Sequence, residues 1–247
     1  MTDGLEGAAR LIEEEDFGTR ATVVAGPAMG QSGVIRGDRL LAGALPAEIL
    51  EDVIADAHVL LERERSLTLT YGGSEVYIES LVPRPHLLVF GAVHIAQELV
   101  PMARRLGFLV IVSDARPAFT TLERFPDADG LVVGWPDQID VVFDRRTYVV
   151  VLSHDARFED PLWPLVLRSP SPYIGAMGSS KTAARRREKL LADGFTPEDV
   201  GRIHGPIGLK IGAESPAEMA IAILAEIVES RARPGEALEL RGAVTII

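Results

Sequence analysis

The stretch "HLLVFGAVHIAQELVPMARRLGFLVIVSDAR", His86 to Arg116, constrains this chain more than any other. An apolar run ends in Gly91, a helical pattern follows, and a second apolar run ends in Asp114. That order is strand, glycine turn, helix, strand, the opening unit of a nucleotide-binding α/β domain. In a dinucleotide fingerprint the first glycine makes the tight turn and the second lets backbone approach the pyrophosphate. The third permits close helix–strand packing. Here those positions hold Gly91, Val93 and Ala96. Gly91 and Ala96 suffice for the turn and the packing, but Val93 puts a branched side chain where a diphosphate would lie. Asp114 follows Gly91 by roughly 20 residues, the spacing of an acidic residue on a ribose hydroxyl. The spacing therefore supports the scaffold strongly and NAD(P) as its ligand weakly.

The rhythm continues beyond this unit. The apolar runs "GLVVG", "YVVVLS" and "SPYIGAMG" show little alternation, as expected of parallel strands covered on both faces. Helical segments fall between several of them, so residues 87–247 are expected to form a Rossmann-like, doubly wound α/β domain. Residues 1–82 read as a small N-terminal α+β domain. In it Leu5, Ala8, Ala9 and Ile12 recur at helical spacing, "PAEILEDVIADAHVLLERE" is an amphipathic helix, and Gly72-Gly73 join two strands as a hairpin. The run "VPRPH" supplies an extended linker over 83–86. Near the end, Ser215, Pro216 and Glu218 make the start of a capped helix.

A net charge of −11 argues against broad nucleic-acid binding, which needs a basic face. The chain has no cysteine, which excludes disulfides, thiolate metal sites and cysteine nucleophiles. No apolar run approaches the ~20 residues of a membrane span, so no membrane partner is expected. The acidic N-terminus lacks a signal sequence, and a cytoplasmic protein is expected.

Two further features carry candidate chemistry. The segment "GAMGSSKT" (175–182) lies between a strand and a helix and misses the phosphate-cradling pattern G-x-x-x-x-G-K-[ST] only because Ser180 replaces the second glycine. Gly175, Gly178, Ser179 and Lys181 can still offer backbone N–H groups, a helix dipole and a positive charge to an anion. The plainer reading is a glycine-containing turn before a capped helix whose Arg185, Arg186 and Arg187 form a solvated face. The second feature is the set of histidines. Ligands of open parallel sheets bind beyond the carboxyl ends of the strands. His94, Asp114 with Arg116, His154 with Asp155, and the Gly175–Lys181 loop would therefore share one rim. No catalytic residue and no metal ligand is assigned; without cysteine or an H-x₃-H helix, a structural zinc site has no ligand set.

These residues resemble the XdhC/CoxI family, accessory factors for molybdenum hydroxylases such as xanthine dehydrogenase and carbon monoxide dehydrogenase. The resemblance is densest from Leu87 to Arg231. Its landmarks are "GAVHIA" for a GAGHVA-like turn, "VSDARPAFTTLERFPDAD", "VVVLSHD", "SPYIGAMGSSKTAARRREKL" and "RIHGPIGLKIGAESPAEMAIAILAEIV". It implies a protein that binds the molybdenum cofactor (molybdopterin) and assists its sulfuration or its insertion into a molybdenum hydroxylase, the expected partner. A cysteine desulfurase is the candidate second partner, and we expect a homodimer. The Gly175–Lys181 turn would hold the pterin phosphate, and His94 and His154 would line the rest of the pocket. NAD(P) bound by an oxidoreductase remains the alternative, with Asp114 on the ribose and His154-Asp155 in acid–base work. The chain departs from the family in its cysteines. Family members carry C-G-G before the linker, where this chain has "TYGGSEV" with Tyr71 in the cysteine position, and a G-G-C motif that here has become "LAGALPAEIL".

Overall fold

The computed structural model describes residues 4–138, 141–231 and 238–245. The chain forms two compact units, Met1–Pro83 with Gly235–Ile247, and Arg84–Pro234.

The first unit begins with α1 (Gly4–Glu13), β1 (Gly18–Ala25), β2 (Ser32–Arg36) and β3 (Arg39–Gly43). It continues with α2 (Ala47–Glu62), β4 (Leu67–Tyr71) and β5 (Ser74–Leu81). The strands pair antiparallel in the order β4-β5-β1-β2-β3, and Tyr71 opposite Ser74 closes the hairpin read from Gly72-Gly73. Alternate strand residues Ala21, Val23, Leu69, Val76 and Ile78 meet Ile49, Val53, Ala57 and Leu60 of α2 in one core. On α1 the buried face is Ala8 and Leu11, with Gly4 and Gly7 beside them. Leu5 and Ile12, members of the apolar stripe in the sequence, are exposed instead. The small residues are what let this helix settle onto the sheet, so the face with less side chain is the one buried.

The second unit holds β6 (His86–Phe90), α3 (His94–Arg105), β7 (Leu109–Asp114), β8 (Gly130–Val133) and β9 (Thr147–Val151). It goes on with α4 (Ala156–Glu159), α5 (Trp163–Leu167), β10 (Tyr173–Ala176), α6 (Ser180–Ala192), α7 (Pro197–Gly201), β11 (Ile203–His204) and α8 (Pro216–Arg231). Every strand pair is parallel, in the order β11-β10-β9-β6-β7-β8. Starting from β6 and moving outwards both ways, this is the doubly wound order, with its reversal between β6 and β9. Both sheet faces are covered. Leu87, Val89, Val110 and Val150 pack against α3 and α8 through Leu99, Val100, Ile223 and Ile227. Leu88, Phe90, Val149 and Ile174 pack on the other side against Phe158, Trp163, Val166 and Leu190. Two apolar faces per strand explain the unbroken apolar runs of the sequence.

Among the described residues no helix is long and apolar enough to cross a membrane. The final described strand, β12 (Ala243–Val244), pairs antiparallel with β4. The sequence pattern assigns this tail to the Rossmann-like domain; its strand instead extends the first sheet. The cause is long-range: buried Asp56 of α2 accepts the backbone N–H groups of Arg241 and Gly242 at 2.7 and 2.8 Å. Nothing local in the tail announces that partner.

Candidate functional site

At the reversal the chain leaves β6 and β9 side by side. Gly91 takes φ +114°, and a Cβ there would stand 3.0 Å from the Ser153 nitrogen and 3.1 Å from the Leu152 carbonyl carbon. Only glycine fits a left-handed position pressed against a neighbouring backbone. The ladder runs on into the turns: Gly91 N–H donates to the Ser113 carbonyl and Leu152 N–H to that of Phe90, both at 2.8 Å. The first glycine of the motif is thus explained by the fold alone. Val93, at the N-cap of α3, is half-buried and packs onto the core of the domain.

Asp114, at the end of β7, is the next motif residue, and it is fully committed within the protein. Only 4% exposed, its Oδ2 accepts from Ala92 N–H and Arg116 Nη2–H, both at 2.8 Å. Its Oδ1 accepts from the backbone N–H and Nε–H of Arg116, both at 2.9 Å. Burial by itself pushes this carboxyl up. The hydrogen bonds from Arg116 and from the two backbone N–H groups outweigh it and hold Asp114 below the ordinary carboxylate range. The Arg116 guanidinium then lies 4.4 Å from the Phe119 ring centroid, and Arg124 approaches the same ring at 4.9 Å.

The remaining residues of the rim stand in more open positions. His94 is exposed in the first turn of α3, and His154 is exposed just beyond β9. Asp155 caps α4, its carboxylate accepting from the backbone N–H, Nε–H and Nη2–H of Arg157. The Arg157 side chain leads in holding Asp155 below the usual carboxylate range. Ser179 is the N-cap of α6 and accepts from Thr182 N–H at 3.2 Å, so the helix begins inside the segment read as a loop before it. Gly178 and Lys181 flank it, with Lys181 exposed. Gly175 lies elsewhere: it is buried within β10, where a Cβ would meet the Ile207 side chain at 2.5 Å and the Tyr173 hydroxyl at 2.6 Å.

Two clusters escape a reading of the sequence. Arg186, expected with its neighbours to be solvated, is 8% exposed and ion-paired to buried Glu159 at 3.0 Å. Burial pushes the Glu159 carboxyl up, and Arg186 pulls it back only in part. The available signal was that Arg186 precedes buried Leu190 by one helical turn and so shares its inward face. The second cluster joins β10, α8 and the turn after β11. Glu226 accepts from the Tyr173 hydroxyl at 2.5 Å and from Gly208 N–H at 2.9 Å, with His204 Nδ1 3.8 Å away. The His204 ring lies 4.7 Å from that of Tyr173. Their distance in sequence, Tyr173 to Glu226, hides this network.

In the first unit, Tyr71 is buried where the family resemblance places a cysteine, and its hydroxyl donates to Asp56 at 2.7 Å. Burial first, and then this contact with Asp56, push the phenol well above its ordinary pKa. The position serves as a packed, hydrogen-bonded support for the tail strand.

A doubly wound parallel sheet with a glycine turn at its reversal defines a Rossmann-type domain. The model of the XdhC Rossmann domain matches residues 87–227, and the chain belongs to that family. It is 35% identical over 162 residues to a Bacillus subtilis (strain 168) protein named as a probable xanthine dehydrogenase subunit, covering 65% of this chain and 47% of that one. It is 25% identical over 186 residues to the "Molybdenum cofactor insertion chaperone PaoD" of Escherichia coli (strain K12), covering 75% and 52%. The chain thus spans about half the length of these curated relatives. A crystal structure described as a xanthine dehydrogenase from Bacillus halodurans shares the fold, with a TM-score of 0.70 at 21% identity over 92% of this chain and 65% of that one.

Proposed function

We propose that the chain is an accessory factor that holds the molybdenum cofactor and delivers it to a molybdenum hydroxylase of the xanthine dehydrogenase type. The observation that carries this reading is the state of the dinucleotide turn, beside the similarity to a protein named as an insertion chaperone for that cofactor. Both oxygens of Asp114 are spent on Ala92 and Arg116, so a ribose hydroxyl would have to displace charge-assisted hydrogen bonds. Val93 adds bulk at the position where a pyrophosphate needs bare backbone. These two features speak against the NAD(P) alternative.

What stays open on the same edge suits an anionic ligand rich in hydrogen-bonding groups. Backbone N–H groups at the start of α6, with Ser179 and Lys181, suit the pterin phosphate. His94 and His154 suit the polar flank of the pterin. Having no cysteine, the chain supplies no thiolate to molybdenum and no sulfur of its own. Sulfuration would therefore draw its sulfur from a partner, such as a cysteine desulfurase. A homodimer and a cytoplasmic setting complete the proposal.

Calorimetric titration with molybdopterin, NADH and NADPH tests it. Saturable binding of molybdopterin alone is expected, weakened about tenfold by Lys181→Ala, the scale of one charge-assisted contact. Micromolar NADH or NADPH binding without molybdopterin binding would overturn the proposal.

A further inference from the structure

The loop 205–211, which leads from β11 towards α8, is held by one carboxylate. Glu226 of α8 accepts through Oε2 from the Tyr173 hydroxyl of β10 and from Gly208 N–H of the loop. Its Oε1 stands 3.8 Å from His204 Nδ1, at the end of β11. The loop is pressed onto α8 at this point. Gly208 takes φ +94°, a Cβ on it would stand 3.2 Å from that of Ala222, and Leu209 N–H donates to the Ala222 carbonyl at 3.1 Å. Thus β10, β11, the loop and α8 meet on Glu226. Burial by itself pushes this carboxyl up, but His204, the Tyr173 hydroxyl and Gly208 N–H outweigh it and hold Glu226 below the ordinary glutamate range.

Of those three donors, the phenol and the amide stay neutral at physiological pH, whereas an imidazole gains and loses a charge there. The His204 side chain is 39% exposed and open to solvent protons, while that of Glu226 is 14% exposed and sheltered from salt. Ring contact with Tyr173, centroids 4.7 Å apart, steadies the imidazole against the strand. The other charged groups of the surrounding elements are engaged elsewhere or open to solvent. On α7, Glu198 is exposed and Asp199 is spent on Thr196, and Arg202 donates to the carbonyls of Leu167, Ser169 and Ser171. Glu229 of α8 and Lys210 of the loop are exposed.

The same loop borders the turn into α6. Ile207 N–H donates to the Ala176 carbonyl at 3.1 Å, where β10 ends, and a Cβ on Gly205 would stand 3.6 Å from that of Ala183 in the first turn of α6.

We propose that His204 and Glu226 form a proton-operated latch, which fastens the loop 205–211 onto α8 when the imidazole is protonated and loosens it when the proton leaves. Because the loop flanks the turn that carries Ser179 and Lys181, the latch also sets how firmly that turn holds an anion. This consequence, unlike the latch, rests on the cofactor reading.

Hydrogen exchange at the Gly208 and Leu209 amides, corrected for the intrinsic pH dependence of exchange, reads the latch. From about pH 5.5 to about pH 8, a range that spans the charge change of an imidazole, protection should fall about threefold, the scale of a part-exposed ion pair. Leu152 N–H, bonded to the Phe90 carbonyl in the central ladder, is the control. His204→Gln, at a half-exposed position, and Glu226→Gln, which keeps an acceptor for Tyr173 and Gly208, should both abolish the fall. Protection that stays level, that falls equally at Leu152, or that falls as far in both variants would overturn the latch. Molybdopterin affinity on the same samples keeps the two proposals apart. Affinity that weakens with rising pH in the wild type but not in His204→Gln supports the coupling to the turn, and affinity level with pH beside a responding latch overturns that coupling. A responding latch with no molybdopterin binding rejects the cofactor reading alone.

Discussion

Asp114 and Glu159 are both buried carboxylates of the doubly wound domain, and both are paired with an arginine. Asp114 meets a partner two residues away, and the short loop lets Arg116 supply its backbone N–H and its guanidinium together. Ala92 N–H completes the set, so each carboxylate oxygen accepts two hydrogen bonds. Glu159 meets Arg186 from a different helix, so their pairing fastens α4 to α6 but leaves part of the guanidinium unspent. A local pair can close on itself. A distant pair is positioned by packing, and packing can leave a buried donor without an acceptor. The motif that looks like a dinucleotide site therefore spends its carboxylate on its own loop, and the arginine that reads as surface is buried.

The largest effect should come from breaking the distant pair. Arg186→Ala leaves Glu159 buried without its cation, and should cost about 3–5 kcal/mol in urea unfolding. The double variant Glu159→Leu/Arg186→Met should recover most of that loss, because an apolar pair of similar volume removes both desolvation costs. A single variant as stable as the wild type would remove the contrast altogether.

Next comes the turn that holds the local pair in place. Gly91→Ala must accept φ +114° and a Cβ 3.0 Å from the Ser153 nitrogen, at about 2 kcal/mol on the scale of such backbone strain. A loss of a few tenths would show that the loops after β6 and β9 separate freely.

The smallest of the three belongs to Asp114 itself. Asp114→Asn should cost about 1–2 kcal/mol at neutral pH through weakened charge-assisted hydrogen bonds. Because the folded chain holds Asp114 below the ordinary carboxylate range, its ionised form is the one that folding favours. That contribution is present above the unfolded carboxylate pKa of about 3.9 and is lost as pH falls through the lower folded value. The stability gap between wild type and variant should therefore hold at neutral pH and close in strong acid. A gap that widens on acidification would place the favoured charge elsewhere.

The two pairs sort differently by how far each can be read from the chain. Gly91, Ala96 and the spacing to Asp114 predicted a Rossmann-type turn because these constraints act within one strand–helix–strand unit. The parallel runs were legible for a similar reason: burial on both faces removes the alternation that a half-exposed strand shows. Ser215 was legible as a helix start, and its N–H does bond Glu218 at 2.8 Å. What escaped were partners far apart in sequence, namely Arg186 with Glu159, Tyr173 with Glu226, and the tail with Asp56. An arginine run reads as solvated until the helix carrying it is docked, and only docking shows which of its faces is turned inward.

Local periodicity, sterics and composition were therefore enough for the doubly wound scaffold, the glycine turn and the absence of cysteine chemistry. Which charges remain available to a ligand was settled by folding in three dimensions. Folding spent Asp114 on its own loop, buried Arg186 beside Glu159, and carried the last strand back to the first sheet. The reason is physical: the cost of burying a charge depends on every neighbour brought to it by folding, and those neighbours have no fixed spacing along the chain.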